Sequence, residues 1–149
     1  MIKIRDFEEQ DIAIFINMCT SFYSSDAVLH PISQEAMSKT FSEIMSSSPY
    51  LRGLIIEYNS TICGYVNLSL TYSNEANGLV VLLEEIYIMP EFQGRGFGSY
   101  ALKWVLDEYK GKAMRYRLEV CNNNSGAIKL YERLGFENLN YKQMIIDVK

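Results

Sequence analysis

Side chains that build metal centres, disulfide frameworks and charge-relay triads are scarce in this chain. The three cysteines, Cys19, Cys63 and Cys121, are odd in number and show no C-x-x-C spacing. That argues against a disulfide scaffold or a thiolate zinc site, and leaves buried or incidental thiols in a reducing compartment. His30 is the single histidine, it precedes Pro31, and no G-x-S-x-G context accompanies it. A Ser–His–Asp hydrolase therefore has no support. Long apolar runs are missing, which argues against a membrane-spanning helix. The alternating start Met1-Ile2-Lys3-Ile4-Arg5 lacks the apolar core of a signal peptide. Positive charge is short as well: fourteen basic against eighteen acidic residues give a formal charge of −4. A surface that tracks phosphates wants a basic face, so nucleic acid is not an expected partner. Together these shortages describe a soluble cytoplasmic protein with no metal, nucleic-acid or membrane partner.

What is present is an ordinary globular composition, 48% hydrophobic, over a length expected to form one domain, residues 1–149. Met1–Arg5 alternates like a strand. Ile12, Phe15, Ile16 and Cys19 recur at helical spacing, and Ser33 to Met45 resumes that character after the small polar residues and proline of 22–31. Leu51–Tyr58 and Ile62–Tyr72 read as strands of a hairpin turned at Asn59-Ser60. In the second of them, Ile62, Val66, Leu68, Leu70 and Tyr72 are expected on one face, opposite Cys63, Tyr65, Asn67, Ser69 and Thr71. A strand to Met89, a helix Phe97–Tyr109, a strand Met114–Val120, a helix capped by Asn124 or Ser125, and a last strand or strand pair over Glu137–Asp147 complete the order. This β-α-α-β-β-β-α-β-α-β order predicts an α/β (α+β) fold: a mixed, mostly antiparallel sheet with helices on both faces. Its one parallel βαβ unit, 80–89 to 97–109 to 114–120, should be right-handed.

The stretch from Leu82 to Tyr100 organises the chain. Pro90 ends the apolar strand, and glycines then fall at every second position, Gly94, Gly96 and Gly98, where a helix begins. Glycine leaves no Cβ and allows positive φ, so a ligand can lie against bare N–H groups at the positive end of a helix. This is an anion site suited to phosphate, with Arg95 able to add charge-assisted bonds. A dinucleotide loop needs G-x-G-x-x-G, and Ser99 stands where its last glycine would fall, although Glu119 lies where a ribose-binding acid would. A Walker lysine is absent, which argues against ATP.

Gln93-Gly94-Arg95-Gly96-Phe97-Gly98 resembles the Q/R-x-x-G-x-G/A pyrophosphate loop of the GNAT acetyltransferase superfamily, and Glu84–Pro90 resembles that family's fourth strand. Asn124-Ser125-Gly126-Ala127-Ile128-Lys129-Leu130-Tyr131-Glu132-Arg133-Leu134-Gly135-Phe136 resembles its motif N-x-x-A-x-x-L-Y-x-x-x-G-F. Leu83-Glu84-Glu85-Ile86-Tyr87-Ile88-Met89 is similar to the corresponding stretch of diamine N-acetyltransferases. The resemblance implies a GNAT-like fold and an acetyl-coenzyme A-dependent N-acetyltransferase. The donor would lie on Ile86, Tyr87, Ile88, Gln93, Gly94, Arg95, Gly96, Phe97, Gly98, Ser99, Asn124 and Ala127.

The same resemblance implies roles for the reacting groups. Glu84 is the base candidate acting through water, Glu85 a catalytic and amine-binding acid, and Tyr131 the proton donor to the leaving thiolate. Regular strands point successive side chains to opposite faces, so Glu84 and Glu85 share a pocket only if the strand is bulged, as it is in the family. Periodicity alone favours Tyr131 as a core residue beside Ala127, Ile128 and Leu134. Tyr23 and Asp26, on a polar loop expected to face the site, are the other acceptor-binding candidates. The acceptor expected is a small-molecule amine or a peptide, reached by direct attack in a ternary complex, with a homodimer as a further expectation. Two alternatives stand beside this: an acyl-coenzyme A-binding regulatory protein without catalysis, and a dinucleotide-binding protein.

Overall fold

In the computed structural model, which describes residues 1–148, one five-stranded sheet carries all the regular helices. β1 (Ile2–Asp6), β2 (Leu51–Tyr58), β3 (Thr61–Ser73), β4 (Gly78–Ile88) and β5 (Ala113–Leu118) lie in that order. The first four strands pair antiparallel and β5 joins β4 in parallel. α1 (Ile12–Tyr23) and α2 (Gln34–Met45) connect β1 to β2, α3 (Phe97–Glu108) makes the β4–β5 crossover, and α4 (Ser125–Arg133) follows β5. The β2–β3 turn places Asn59 and Ser60 both at positive φ (50° and 67°), the two-residue geometry that matches strand twist. Ser33 begins α2 by accepting the Ala36 N–H at 3.1 Å.

The sheet is covered on both faces, as expected. On one, Leu54, Ile56, Val66, Leu68, Val81 and Leu83 pack under Phe97, Ala101, Leu102 and Val105 of α3. On the other, Ile55 and Tyr65 pack under Phe7, Phe15, Met18 and Phe41 of the α1–α2 layer. Two expectations are corrected. Cys63 joins the α3 face and Ile62 the α1 face, the reverse of simple alternation. A bulge is the cause: Ile56 faces Gly64 while the next residue, Glu57, faces Ile62, so Cys63 is the extra residue. The other correction concerns residues 134–148, which form no strand. The alternation Met144, Ile146, Val148 is real, but these residues are 86%, 94% and 94% exposed, and a strand needs a partner that this segment does not meet in its own chain.

Candidate active site

β4 is paired unequally along its length, and the site lies where its pairing changes. Leu79 to Leu83 are held by β3 on one side and by β5 on the other, the last parallel pair being Leu83 with Leu118. Beyond that point β4 runs on to Ile88 with β3 alone. The β4 and β5 ends therefore splay, and the backbone groups of Ile86 and Ile88, which face that edge, have no ladder partner. Gln93 returns to cap one of them, donating its Nε2 to the Ile88 carbonyl at 2.9 Å.

The glycine loop follows at once. A short 3-10 turn, Pro90–Phe92, leads into Gly94 and Gly96 at φ 74° and 83°, and α3 starts with no side-chain cap. Its first N–H groups are therefore left for another partner. Gly98 is helical and needs no positive φ. A Cβ added at Gly94, Gly96 or Gly98 would meet no heavy atom within 4 Å. Protein packing thus gives no reason for these glycines, whereas close approach of an anionic group to the backbone does. Arg95 lies with its guanidinium 4.9 Å from the centroid of Tyr58 and 5.2 Å from that of Phe97, which holds the loop by cation–π contact. Phe97 is buried in the core, while Ser99 stands half-buried on the first turn.

The two glutamates are brought together by the bulge that the strand required. Asn67 pairs with Glu85 and Leu68 with Leu83, so Glu84 is the extra residue. Glu85 lies beneath α1. The hydroxyls of Tyr23 and Tyr65 both donate to its carboxylate, Tyr65 at 2.8 Å. Burial raises its pKa above the ordinary 4.5, and the two tyrosine bonds oppose that rise. Phe22 and Tyr87 add further rings, Tyr65 and Tyr87 having centroids 6.0 Å apart. Glu84 stays exposed at the mouth. Its pKa is also raised, first by desolvation, then by the neighbouring charges of Glu119 and Glu85, against Ser69 and Arg117. Asn67 is 6% exposed and its Oδ1 has no hydrogen-bond partner, an acceptor left unmatched one strand away from Glu85. Burial pushes the Cys19 thiol beside this pocket up to about 11, so it stays protonated and unreactive.

Across the splay, α4 presents Tyr131. It is half-buried against the α3-face core and Phe136. Its hydroxyl has no hydrogen-bond partner among the described residues and lines a cleft of about 1260 Å³. Burial alone raises its pKa, keeping the phenol an O–H donor. Asn124 caps α4, its Oδ1 accepting the Ala127 N–H at 3.3 Å. The α1–α2 loop reaches over the opening, where the Cys121 thiol donates to the Ala27 carbonyl at 3.5 Å. Tyr23 enters the pocket from the end of α1, but Asp26 points to solvent and contacts neither glutamate. No cluster of His, Cys, Asp and Glu suited to a metal occurs among the described residues, and none of their helices is long and apolar enough to cross a membrane.

Residues 16–136 match the profile of the Acetyltransferase (GNAT) family. The chain belongs to the GNAT acetyltransferase family. Among its relatives, the thialysine N-ε-acetyltransferase of Mus musculus is 28% identical over 148 residues, covering 92% of this chain and 85% of that one. The spermine/spermidine N(1)-acetyltransferase of Bacillus subtilis is 28% identical over 92 residues, covering 59% and 60%. In fold, the chain is similar to the aminoglycoside N-acetyltransferase AAC(6')-Iy in complex with CoA, with a TM-score of 0.77 and 19% identity over 100% of this chain and 95% of that one. As a GNAT protein the chain is an acetyl-coenzyme A-dependent N-acyltransferase.

Three polar residues beside the glutamates were not legible as site candidates: Tyr65, which bonds Glu85, Asn67, which pairs with it, and Ser69, which neighbours Glu84. They alternate along β3 on the face set opposite Val66 and Leu68, and no role was read for that face. The spacing was itself the signal. A tyrosine, an amide and a hydroxyl on one strand face, opposite a Glu-Glu pair, are polar groups within reach of those acids, and Tyr65 is the one packed in the α1-side cluster.

Proposed function

We propose that this acetyltransferase moves an acetyl group from acetyl-coenzyme A to a small cationic primary amine. The observation that carries the reading is the Glu85 carboxylate, fixed by two tyrosine hydroxyls inside a cage of aromatic rings. A half-buried carboxylate with no basic side chain bonded to it, ringed by π faces, suits an ammonium group through charge and cation–π attraction. The unmatched Asn67 Oδ1 offers a further acceptor for an N–H. Thialysine and spermine, named for the relatives above, are both cationic amines.

The donor's pyrophosphate would lie on the N–H groups from Gln93 to Ser99 and its carbonyl against the unpaired edge of Ile86–Ile88. The acceptor arrives protonated, and a lysine-like amine near 10.4 cannot give its proton directly to a free glutamate near 4.3 without a rise of roughly 8 kcal/mol. The raised pKa values of Glu84 and Glu85 narrow that gap. Glu84, exposed at the mouth, passes the proton to solvent through water, while Glu85 keeps its tyrosine bonds and holds the amine. The neutral nitrogen then attacks the thioester carbonyl: the N–C bond forms, the C–S bond breaks, the sulfur leaves with the electron pair, and the nitrogen gives its surplus proton to Glu84 through the same water, leaving a neutral amide. Tyr131 donates a hydrogen bond to that sulfur as charge develops. Full proton transfer from an ordinary tyrosine to a thiolate is already uphill by about 2 kcal/mol, and burial of Tyr131 adds to it.

Release of free coenzyme A thiol, measured against diamines, polyamines, lysine analogues, aminoglycosides and peptides, tests the proposal. Turnover should be fastest with amines carrying a second positive charge, and slow with amines bearing a carboxylate at the reacting end. Turnover confined to peptide N-termini would overturn the acceptor assignment. Donor binding with no amine-dependent release would favour a regulatory acyl-coenzyme A-binding protein.

A further inference from the structure

We infer that Arg117 and Glu119, at the end of β5, read the far end of the acceptor, and that the acceptor is a free amino acid whose side chain ends in a primary amine. This assignment rests on the cationic-amine reading above and narrows it. The reacting amine lies at Glu85. The zwitterionic head, an ammonium and a carboxylate on one carbon, lies between Glu119 and Arg117.

Alternation along β5 sets the direction of the two side chains. Tyr116 and Leu118 pack into the core beneath α3. Arg115, Arg117 and Glu119 therefore project from the opposite face, where α1 brings Tyr23 onto Glu85. Register brings them to the site. Leu82 pairs with Arg117 and Leu83 with Leu118, the last pair before the strands part. Glu84 and Glu119 are the next residue on each strand, one on either lip of the splay. Behind desolvation, the charge of Glu119 raises the pKa of Glu84 and that of Arg117 lowers it, so both act on the base across a short gap.

Neither group has a partner of its own. Arg115, two residues earlier on the same face, is bonded to Glu75 at 2.9 Å. Arg5 and Arg52 are likewise held by carboxylates. No ion pair among the described residues includes Arg117 or Glu119. Arg117 is nonetheless half-buried, and a guanidinium partly withdrawn from water presents a free donor fork suited to a carboxylate. If its task were only to balance Glu84 or Glu119, it should bond one of them, as Arg115 bonds Glu75. A simple diamine needs acids alone, and a cation beside its path repels it. An arginine and an acid two residues apart on one face, roughly 6.6 Å between Cα atoms, suit adjacent charges of opposite sign. From Glu85 to Arg117 is one strand spacing and two residue steps, roughly 8 Å, and an extended lysine side chain reaches about as far. A lysine inside a peptide has lost both charges of the head.

Three amines that share the reacting end test the assignment in the full-length protein with acetyl-coenzyme A. They are lysine, cadaverine, which lacks the carboxylate, and ε-aminocaproate, which lacks the α-ammonium. Rates of coenzyme A thiol release give kcat/KM for each. Lysine should exceed either of the others by about tenfold or more, the contribution of one charge-assisted bond. Arg117→Gln should bring the lysine-to-cadaverine ratio toward one and keep the lysine-to-ε-aminocaproate ratio, and Glu119→Gln should do the converse. Arg117→Lys, which keeps the charge without the fork, should restore part of the first ratio. A ratio within one variant does not depend on how much of that variant is folded. Wild-type ratios near one, or variants that lower all three rates together, would overturn the assignment and leave the cationic-amine reading standing. No turnover of these three or of any other cationic amine would remove both.

Discussion

The two halves of β4 are built from one continuous strand yet do different work. Leu79–Leu83 has a strand on each side, and Val80, Val81 and Leu83 are buried. Glu84–Ile88 has β3 only, and none of its residues is fully buried. One extra residue and the loss of one neighbour convert a core strand into a site. The bulge turns two consecutive acids toward one region, and the missing neighbour leaves backbone groups unpaired. Burial is concentrated in the first half, and polar side chains and unpaired backbone in the second.

That division can be broken most sharply at the loop that the second half leads into. Gly96→Asp should abolish acetyl-coenzyme A binding in a folded protein, since it adds a side chain and a negative charge where pyrophosphate must meet backbone. Calorimetry showing unchanged affinity would remove the loop from the site. In the opposite direction, Leu102→Ala, beneath the first half, should cost about 2–5 kcal/mol of unfolding free energy. Donor affinity and the amine KM should stay as they were, and a large KM change would show that the halves are coupled.

Smaller effects test the groups that face the second half. Tyr131→Phe should lower kcat by about 10²-fold with little change in donor affinity. An unchanged kcat, with chemistry rate-limiting, would make Tyr131 a packing residue only. Tyr65→Phe keeps the ring and removes one hydrogen bond to Glu85, so it should cost about 1 kcal/mol of stability and raise the amine KM more than it lowers kcat. The reverse split would place Tyr65 in the proton path.

The glutamates themselves give the finest test. Both have a pKa raised above 4.5 in the folded protein, so the fold favours their protonated forms. The stability this contributes is present below the ordinary value and is lost as pH rises through the raised one. At neutral pH Glu85→Gln should therefore leave stability unchanged or slightly higher, while raising the amine KM. For turnover the sign is opposite: kcat/KM should rise with pH until base or amine is deprotonated, and Glu84→Gln should flatten or shift that rise. Wild-type profiles and KM in both variants would exclude the pair from the site.

Much of this was written in local pattern. Pro90, the alternating glycines and the capping Asn124 are short-range devices, and their conformations depend on few neighbours, so β4, the loop, α3 and α4 could be placed from the sequence. The bulge at Glu84 was expected only through family likeness, because two adjacent acids in an apolar strand do not say which one is extra. Tyr65 and Asn67 were hidden for a related reason: alternation shows that a strand has two faces, not which face a distant helix will cover. Asp26, near in sequence to Tyr23, was separated from it by the end of α1, since Tyr23 still obeys the helix and Asp26 does not.

By itself, then, the sequence determined the order of elements as far as α4, the phosphate-type loop and the chemical kinds of side chain available. Hydrogen-bonding and φ constraints act within a few residues and leave their mark there. Only the tertiary structure decided that β4 and β5 part after Leu83 and Leu118, that two tyrosines from different elements grip one carboxylate, and that residues 144–148 have the pattern of a strand without a neighbour in their own chain. Those outcomes depend on which surfaces meet, and pairing across a sheet is a property of two segments that neither one encodes alone.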